Sequence, residues 1–272
     1  MKLTSKGLIF ILLSGFLTTV CAHDFWLNPN AYHTKSAPAQ LPVKFSVGHK
    51  GDVDSWALDW NRIVALRTYH AGGFEDQLEN IIINRGPISG LANVKLTSEG
   101  THILAFESYH SFSSLDAERF NDYASKEGLD LIISDRKKFG QVDKDGREIY
   151  SRKAKTLLQV GNLHTDNVTS PVGLMLEIVP MVNPYALKGE SELPIKVFFR
   201  GKVLENALID IVPLNDRAFT KQSIRTNKQG EASFNIDASG SWMITVVWGV
   251  PNTKNSRAEY ETYFSSLTFG YK

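Results

Sequence analysis

The chain has 272 residues, 42% of them apolar, with 30 Lys and Arg against 29 Asp and Glu. That balance lacks the basic face of a nucleic-acid binder, so no nucleic acid is expected as a partner. The single cysteine, Cys21, sits close to the start, so stability must come from packing, and the length allows one large or two modest domains.

Residues 1–22, MKLTSKGLIFILLSGFLTTVCA, combine Lys2 and Lys6 with an apolar run from Leu8 to Leu17. Val20 and Ala22 stand at the −3 and −1 positions of a small-residue cleavage site, which predicts a secretory signal peptide over 1–22. Its removal leaves 28 basic against 29 acidic residues and no cysteine. Acylation of Cys21 is the rival reading, but Leu17-Thr18-Thr19-Val20 matches that pattern poorly. No later stretch approaches the ~18 apolar residues of a membrane span, so the mature chain is not expected to cross a membrane.

Cleavage after Ala22 would make His23 the mature N-terminus. There its α-amino group and ring nitrogen can chelate one ion, and such donors suit Cu, Ni and Zn. Phe25, Trp26 and Leu27 follow at once and are expected to bury and pin the start of the chain.

The rest reads mainly as strands. Leu41, Val43, Phe45 and Val47 alternate before a turn at Gly48-His49-Lys50-Gly51-Asp52. Further short strands are expected at Ile63–Tyr69, Asn80–Asn84, Asn93–Leu96 and His102–Ser108. A helix is predicted over 114–128, with Ser114 as N-cap and Gly128 as its end. Asp135–Arg147 reads as an exposed loop, and Glu148–Val160 returns to a strand. A boundary falls near 172–185. After it, Leu193–Phe199, Ala207–Val212, Ala232–Ile236 and Trp242–Trp248 form a compact stranded unit. Tyr260, Tyr263, Phe264, Phe269 and Tyr271 are expected to pack a last strand. The fold class is therefore all-β: two β-sandwich domains of immunoglobulin or transthyretin type, 23–179 and 180–272, with a helical insertion in the first.

His49, at a strand end beside Gly48, is the first candidate partner for His23, and His110, in Ser108-Tyr109-His110-Ser111, is the second. His102 alternates within a strand and reads as structural. His33, His70 and His164 lie in apparent loops. No H-E-x-x-H or G-x-S-x-G motif occurs, and no Gly-rich phosphate loop, so no enzyme activity is predicted. Arg136-Lys137-Lys138 with Arg147, Arg152, Lys153 and Lys155 reads as a solvated basic face, with docking of an acidic partner or of lipid headgroups as the alternative.

The segments Ala22-His23-Asp24-Phe25-Trp26-Leu27, Gly48-His49 and Glu148-Ile149-Tyr150-Ser151-Arg152-Lys153-Ala154-Lys155 resemble the DUF4198 family. So do Leu176-Glu177-Ile178-Val179-Pro180, Asn183-Pro184-Tyr185 and Gly240-Ser241-Trp242. The resemblance implies a β-sandwich protein of the bacterial periplasm that binds nickel or cobalt beside an inner-membrane uptake transporter. It supports His23 and His49 as ligands and adds Glu259 and Glu261, in Ala258-Glu259-Tyr260-Glu261-Thr262-Tyr263. One departure stands out: relatives commonly carry a histidine after the Gly-x-Trp strand, where this chain reads Val247-Trp248-Gly249.

The expected function is thus periplasmic capture of Ni, Co or possibly Cu through His23, His49, His110 and Glu261, and delivery to a transporter. The alternatives are a structural or adhesive module, and a copper oxidase acting through a terminal-histidine brace.

Overall fold

A computed structural model describes residues 24–49, 52–56, 58–83, 90–214, 221–253 and 257–271. The segment read as a signal peptide, His23, the side chain of His49 and the end of the strand expected over 80–84 lie outside these residues.

Alternating apolar residues build three sheets among the described residues, stacked as layers. The first orders Asp24–Pro29, Ala39–His49, Leu91–Leu96 and Ile81–Ile82, with Asp52–Ser55 also paired to Ala39–His49. The central sheet runs Gln222–Arg225, Leu208–Pro213, Ser241–Pro251, Tyr260–Gly270, Gly146–Val160, Gly100–Ser108, Ile63–His70 and Gly73–Asp76. Ser111–Leu115 and His33–Thr34 attach to its Gly146–Val160 strand. The third sheet pairs Glu190–Phe199 with Leu176–Pro180, Lys202–Val203 and Glu231–Asp237. The all-β sandwich fold is as the alternation indicated.

Both faces of the central sheet are covered. Leu157 packs with Ile178, Ile195, Val197, Ile244 and Leu267 against the third sheet. Its neighbour Leu158 packs with Phe25, Val43, Phe45, Leu104 and Phe106 against the first. Successive side chains of a strand point to opposite faces, so a doubly covered strand reads as a continuous apolar run at its centre. The same parity places Lys153 and Lys155 inward on the third-sheet side, where both are buried. Gly146–Val160 pairs in parallel with Tyr260–Gly270, so the central sheet draws strands from both sides of residue 180.

Two helices cover the remainder of the first-sheet face. In α1, Ala117–Lys126, Phe120, Tyr123 and Ala124 pack with Leu129, Ile132, Val247 and Tyr260. Asp116 caps this helix by accepting from the Arg119 amide at 2.9 Å, whereas the expected cap, Ser114, belongs to strand Ser111–Leu115. Gly128 follows at φ +65°, a left-handed ending that glycine adopts without a Cβ clash.

A second helix, α2, runs Asp130–Lys138 through the start of what reads as an exposed loop. Arg136 within it is 1% exposed, its guanidinium 4.8 Å from the Phe120 ring centroid and donating to Asn121 at 2.9 Å. The expected solvated basic face is therefore corrected at Arg136, Lys153 and Lys155, which are interior. No helix among the described residues is long and apolar enough to cross a membrane.

Candidate functional site

The strand Gly100–Ser108 meets Gly146–Val160 in the register Leu157–Ile103, and Ser111–Leu115 meets it in the register Tyr150–Ser111. Extended toward each other, these registers leave Tyr109 and His110 opposite the single residue Ser151. That extra residue is a β-bulge, a device that re-aims side chains beside sites. Here it turns His110 to the third-sheet face, where its Nε2 lies 3.1 Å from Glu261 Oε1. Arg200 Nη2 approaches the other carboxylate oxygen at 3.4 Å. Arg200 and Gly201, at φ 53° and 73°, form the two-residue hairpin turn that carries the guanidinium there. The His110 ring packs edge-on to Tyr263 at 5.9 Å, and Tyr263 packs on Phe199 at 5.3 Å.

Burial lowers the His110 pKa, and the nearby Lys153 charge adds to this against the pull of Glu261. Tyr263, mainly through burial and also through its hydrogen bond to Glu261, is pushed up to about 12. Lys153 Nζ lies 3.3 Å from Glu107 and donates to the Ser108 carbonyl at 3.3 Å. Deeper in the layer, Lys155 and Glu177 form a 2.8 Å ion pair with both side chains 1% exposed. On the opposite face, Glu148 accepts from Thr262 at 2.6 Å and from Tyr123 at 3.3 Å beneath α1. Burial raises this carboxyl to about 7.

The start of the described chain lies on the first-sheet side. Asp24 pairs with Gly48, so the chain begins beside the strand end occupied by His49. Phe25, Trp26 and Leu27 are buried, as their composition indicated. Asp24 is raised to about 6, chiefly by burial and then by the Asp210 charge. Glu127 is raised to about 8, again first by burial and then by Asp24 and Asp210. This end of the molecule therefore gathers three carboxyl groups, with Lys221 held to Asp210 at 2.6 Å.

The fold thus brings two of the sequence candidates, His110 and Glu261, into direct contact. His23 and the His49 side chain fall outside the described residues. Among the described residues, no three His, Cys, Asp or Glu side chains are grouped to hold a metal ion. Glu259, the other acidic candidate, is taken up by Arg147, whose Nε donates to it at 2.9 Å. His102 is buried, with Nε2 2.8 Å from the Ser98 carbonyl, in keeping with a structural role. Arg200 and Lys153 escaped the sequence reading as site residues, because their approach to Glu261 and His110 depends on the bulge and on the third sheet.

Comparison with known proteins gives one specific match. The family described as "Domain of unknown function (DUF4198)" matches residues 20–249, and the chain belongs to that family. No curated protein matches it. Among solved structures, the D0-D1 domain of intimin aligns at 10% identity and TM-score 0.23, covering 90% of this chain and 97% of that one. The chicken CNTN1 FN1-FN3 domains align at 10% identity and TM-score 0.21, covering 91% and 68% respectively. Likenesses this weak carry no functional argument.

Proposed function

We propose that this DUF4198 member is an exported, periplasmic transition-metal-binding protein that takes up Ni²⁺, Co²⁺ or Cu²⁺ at its mature N-terminus and passes the ion to an inner-membrane transporter. The observation that supports this most directly is the Asp24–Gly48 pairing. Residue 23 is bonded to Asp24, and consecutive Cα atoms are about 3.8 Å apart, so a chain cut before His23 ends within reach of His49. The α-amine and imidazole of His23 with the His49 imidazole would supply three nitrogens, leaving further positions for water or a carboxylate. Phe25 and Leu27, packed in the core, anchor this terminus. A cation bound there would favour the ionised forms of Asp24 and Glu127, whose carboxyls burial and mutual repulsion otherwise raise to about 6 and about 8.

Nitrogen-rich ligation favours Cu²⁺ over Ni²⁺ and Co²⁺ in intrinsic affinity, so selectivity would rest on geometry and supply. His110 and Glu261 take no part in this site, because the third-sheet face on which they meet is the one opposite Asp24. Titration of the exported chain with each ion tests the reading. Binding of at least one ion, weakened by about tenfold or more in His49→Ala, is expected when one imidazole ligand is lost. Equal affinity in His49→Ala would refute His49 as a ligand, and absence of binding would refute the function.

A further inference from the structure

The interior place of Arg136 accounts for only one residue of the basic run that ends α2. Its guanidinium lies beneath the turn after the helix and donates to the Lys144 carbonyl. Asn121 of α1 donates to the Val142 carbonyl at 2.8 Å, and the Gln141 amide bonds back to the Arg136 carbonyl at 2.8 Å. The turn is therefore braced from inside by both helices, and its outward side chains stand on a fixed support.

What the turn holds out is apolar and basic. Phe139 is 58% exposed and Val142 39%. Lys137, Lys138 and Lys144 are exposed and make no ion pair among the described residues. Lys138 Nζ instead lies 5.1 Å from the Phe139 ring centroid. Leu131, also exposed, stands seven residues before Lys138 and so on the same face of α2. The helix dipole favours lysines in a last turn, but it gives no reason for an exposed phenylalanine beside them. On neighbouring α1 exposed charges are tied up in pairs, Arg119 with Asp116 and Lys126 with Asp122. Asp143 and Asp145 follow only after Val142, on the return to the central sheet, so the charges that adjoin Phe139 in the chain are lysines.

Shape and charge together indicate the occupant. A stable protein partner needs about 800 Å² of matching surface on each side, and a projecting turn offers little of that. An anionic bilayer needs only a few lysines at headgroup level and an apolar side chain to sink below them. We infer that the tip of α2, with Phe139 at its centre, is a docking surface for the anionic lipid headgroups of a membrane. The chain cut after Ala22 has 28 basic against 29 acidic residues, so the attraction belongs to this tip and not to net charge. The helices share their face of the central sheet with the first sheet, on which Asp24 lies. That placement suits delivery to an inner-membrane transporter and to that extent rests on the reading above, but the docking itself needs no metal.

Cosedimentation of the exported chain, stripped of metal with a chelator, with lipid vesicles tests it. The probes are vesicles of phosphatidylethanolamine and phosphatidylglycerol in equal parts, with phosphatidylcholine vesicles as the neutral control. Binding to the anionic vesicles is expected at about 1 mM lipid, about tenfold or more above the control, and lost at high salt. Lys137→Gln combined with Lys138→Gln should weaken it about tenfold or more, and Phe139→Ser about fivefold or more. Lys228→Gln, on an exposed turn elsewhere, should leave it unchanged. All four positions are exposed, so the variants keep the fold, which their melting temperatures verify. No binding to anionic vesicles, equal binding to both kinds, unchanged affinity in the tip variants, or an equal loss in Lys228→Gln would each overturn the proposal. So would retention on polyglutamate without vesicle binding, which would assign the tip to an acidic protein. Because the chain is metal-free throughout, the outcome is separate from that of the metal titration.

Discussion

Glu177 accepts four hydrogen bonds inside the layer between the central and third sheets, from Lys155 and from three successive amides. Removing its counter-charge leaves a buried carboxylate, so Lys155→Met should cost about 3–5 kcal/mol in urea unfolding. Adding Glu177→Gln should return only part of that loss, because the amides still need an acceptor. On the other face, Glu148 carries the pH dependence. Burial raises its folded pKa from 4.5 to about 7, so the folded state holds a proton that the unfolded state has released. Its contribution therefore worsens as pH rises from about 4.5 to about 7, by a penalty on the order of 3 kcal/mol. Asp24 and Glu127, also raised, act with the same sign. The difference between the protein and Glu148→Gln isolates this one group. The Gln variant should lose part of the decline in stability between those pH values, and identical pH profiles would contradict the assignment.

Most of the strands were legible from alternation, and Gly146–Val160 most clearly. What they pack against was not. Lys153 and Lys155 look solvent-facing in a two-layer sandwich, and only a second covering sheet makes them interior. Helix α2 was hidden because its cap residue, Leu129, makes no capping bond and because its basic last turn, Arg136-Lys137-Lys138, though favourable at a helix C-terminus, runs straight into a charged, glycine-punctuated stretch. Both helices sit close because glycines face them. A Cβ on Gly146 would fall 2.2 Å from Phe120 Cγ, and one on Gly249 would fall 2.4 Å from Ile132 Cδ1. Gly146→Ala should thus lift α1 from the sheet at a cost of about 1–3 kcal/mol. Faster proteolysis within 117–138 reads this out, and an unchanged cleavage rate would show that the helix packing is looser than described.

At the scale of the whole molecule, the parallel pairing of Gly146–Val160 with Tyr260–Gly270 joins the two halves of the chain and brings Glu261 to His110. Separation in sequence hides such a contact, and a one-residue bulge completes it. The metal reading rests on a different end of the molecule, where Asp24 opens the first sheet beside Gly48. There the proposed chemistry was legible, since a cut after Ala22 would leave the His23 amine free, while the pairing of Asp24 with Gly48 needed the fold. The most direct measurement compares metal affinity of the chain beginning at His23 with that of a chain carrying one extra residue before it. The extra residue turns the amine into an amide and abolishes the amine–imidazole chelate but leaves His49 and the core untouched. Affinity for the preferred ion is predicted to fall by about tenfold or more with the extra residue, as expected when one coordinating nitrogen is removed. Equal affinity of the two chains would contradict the account.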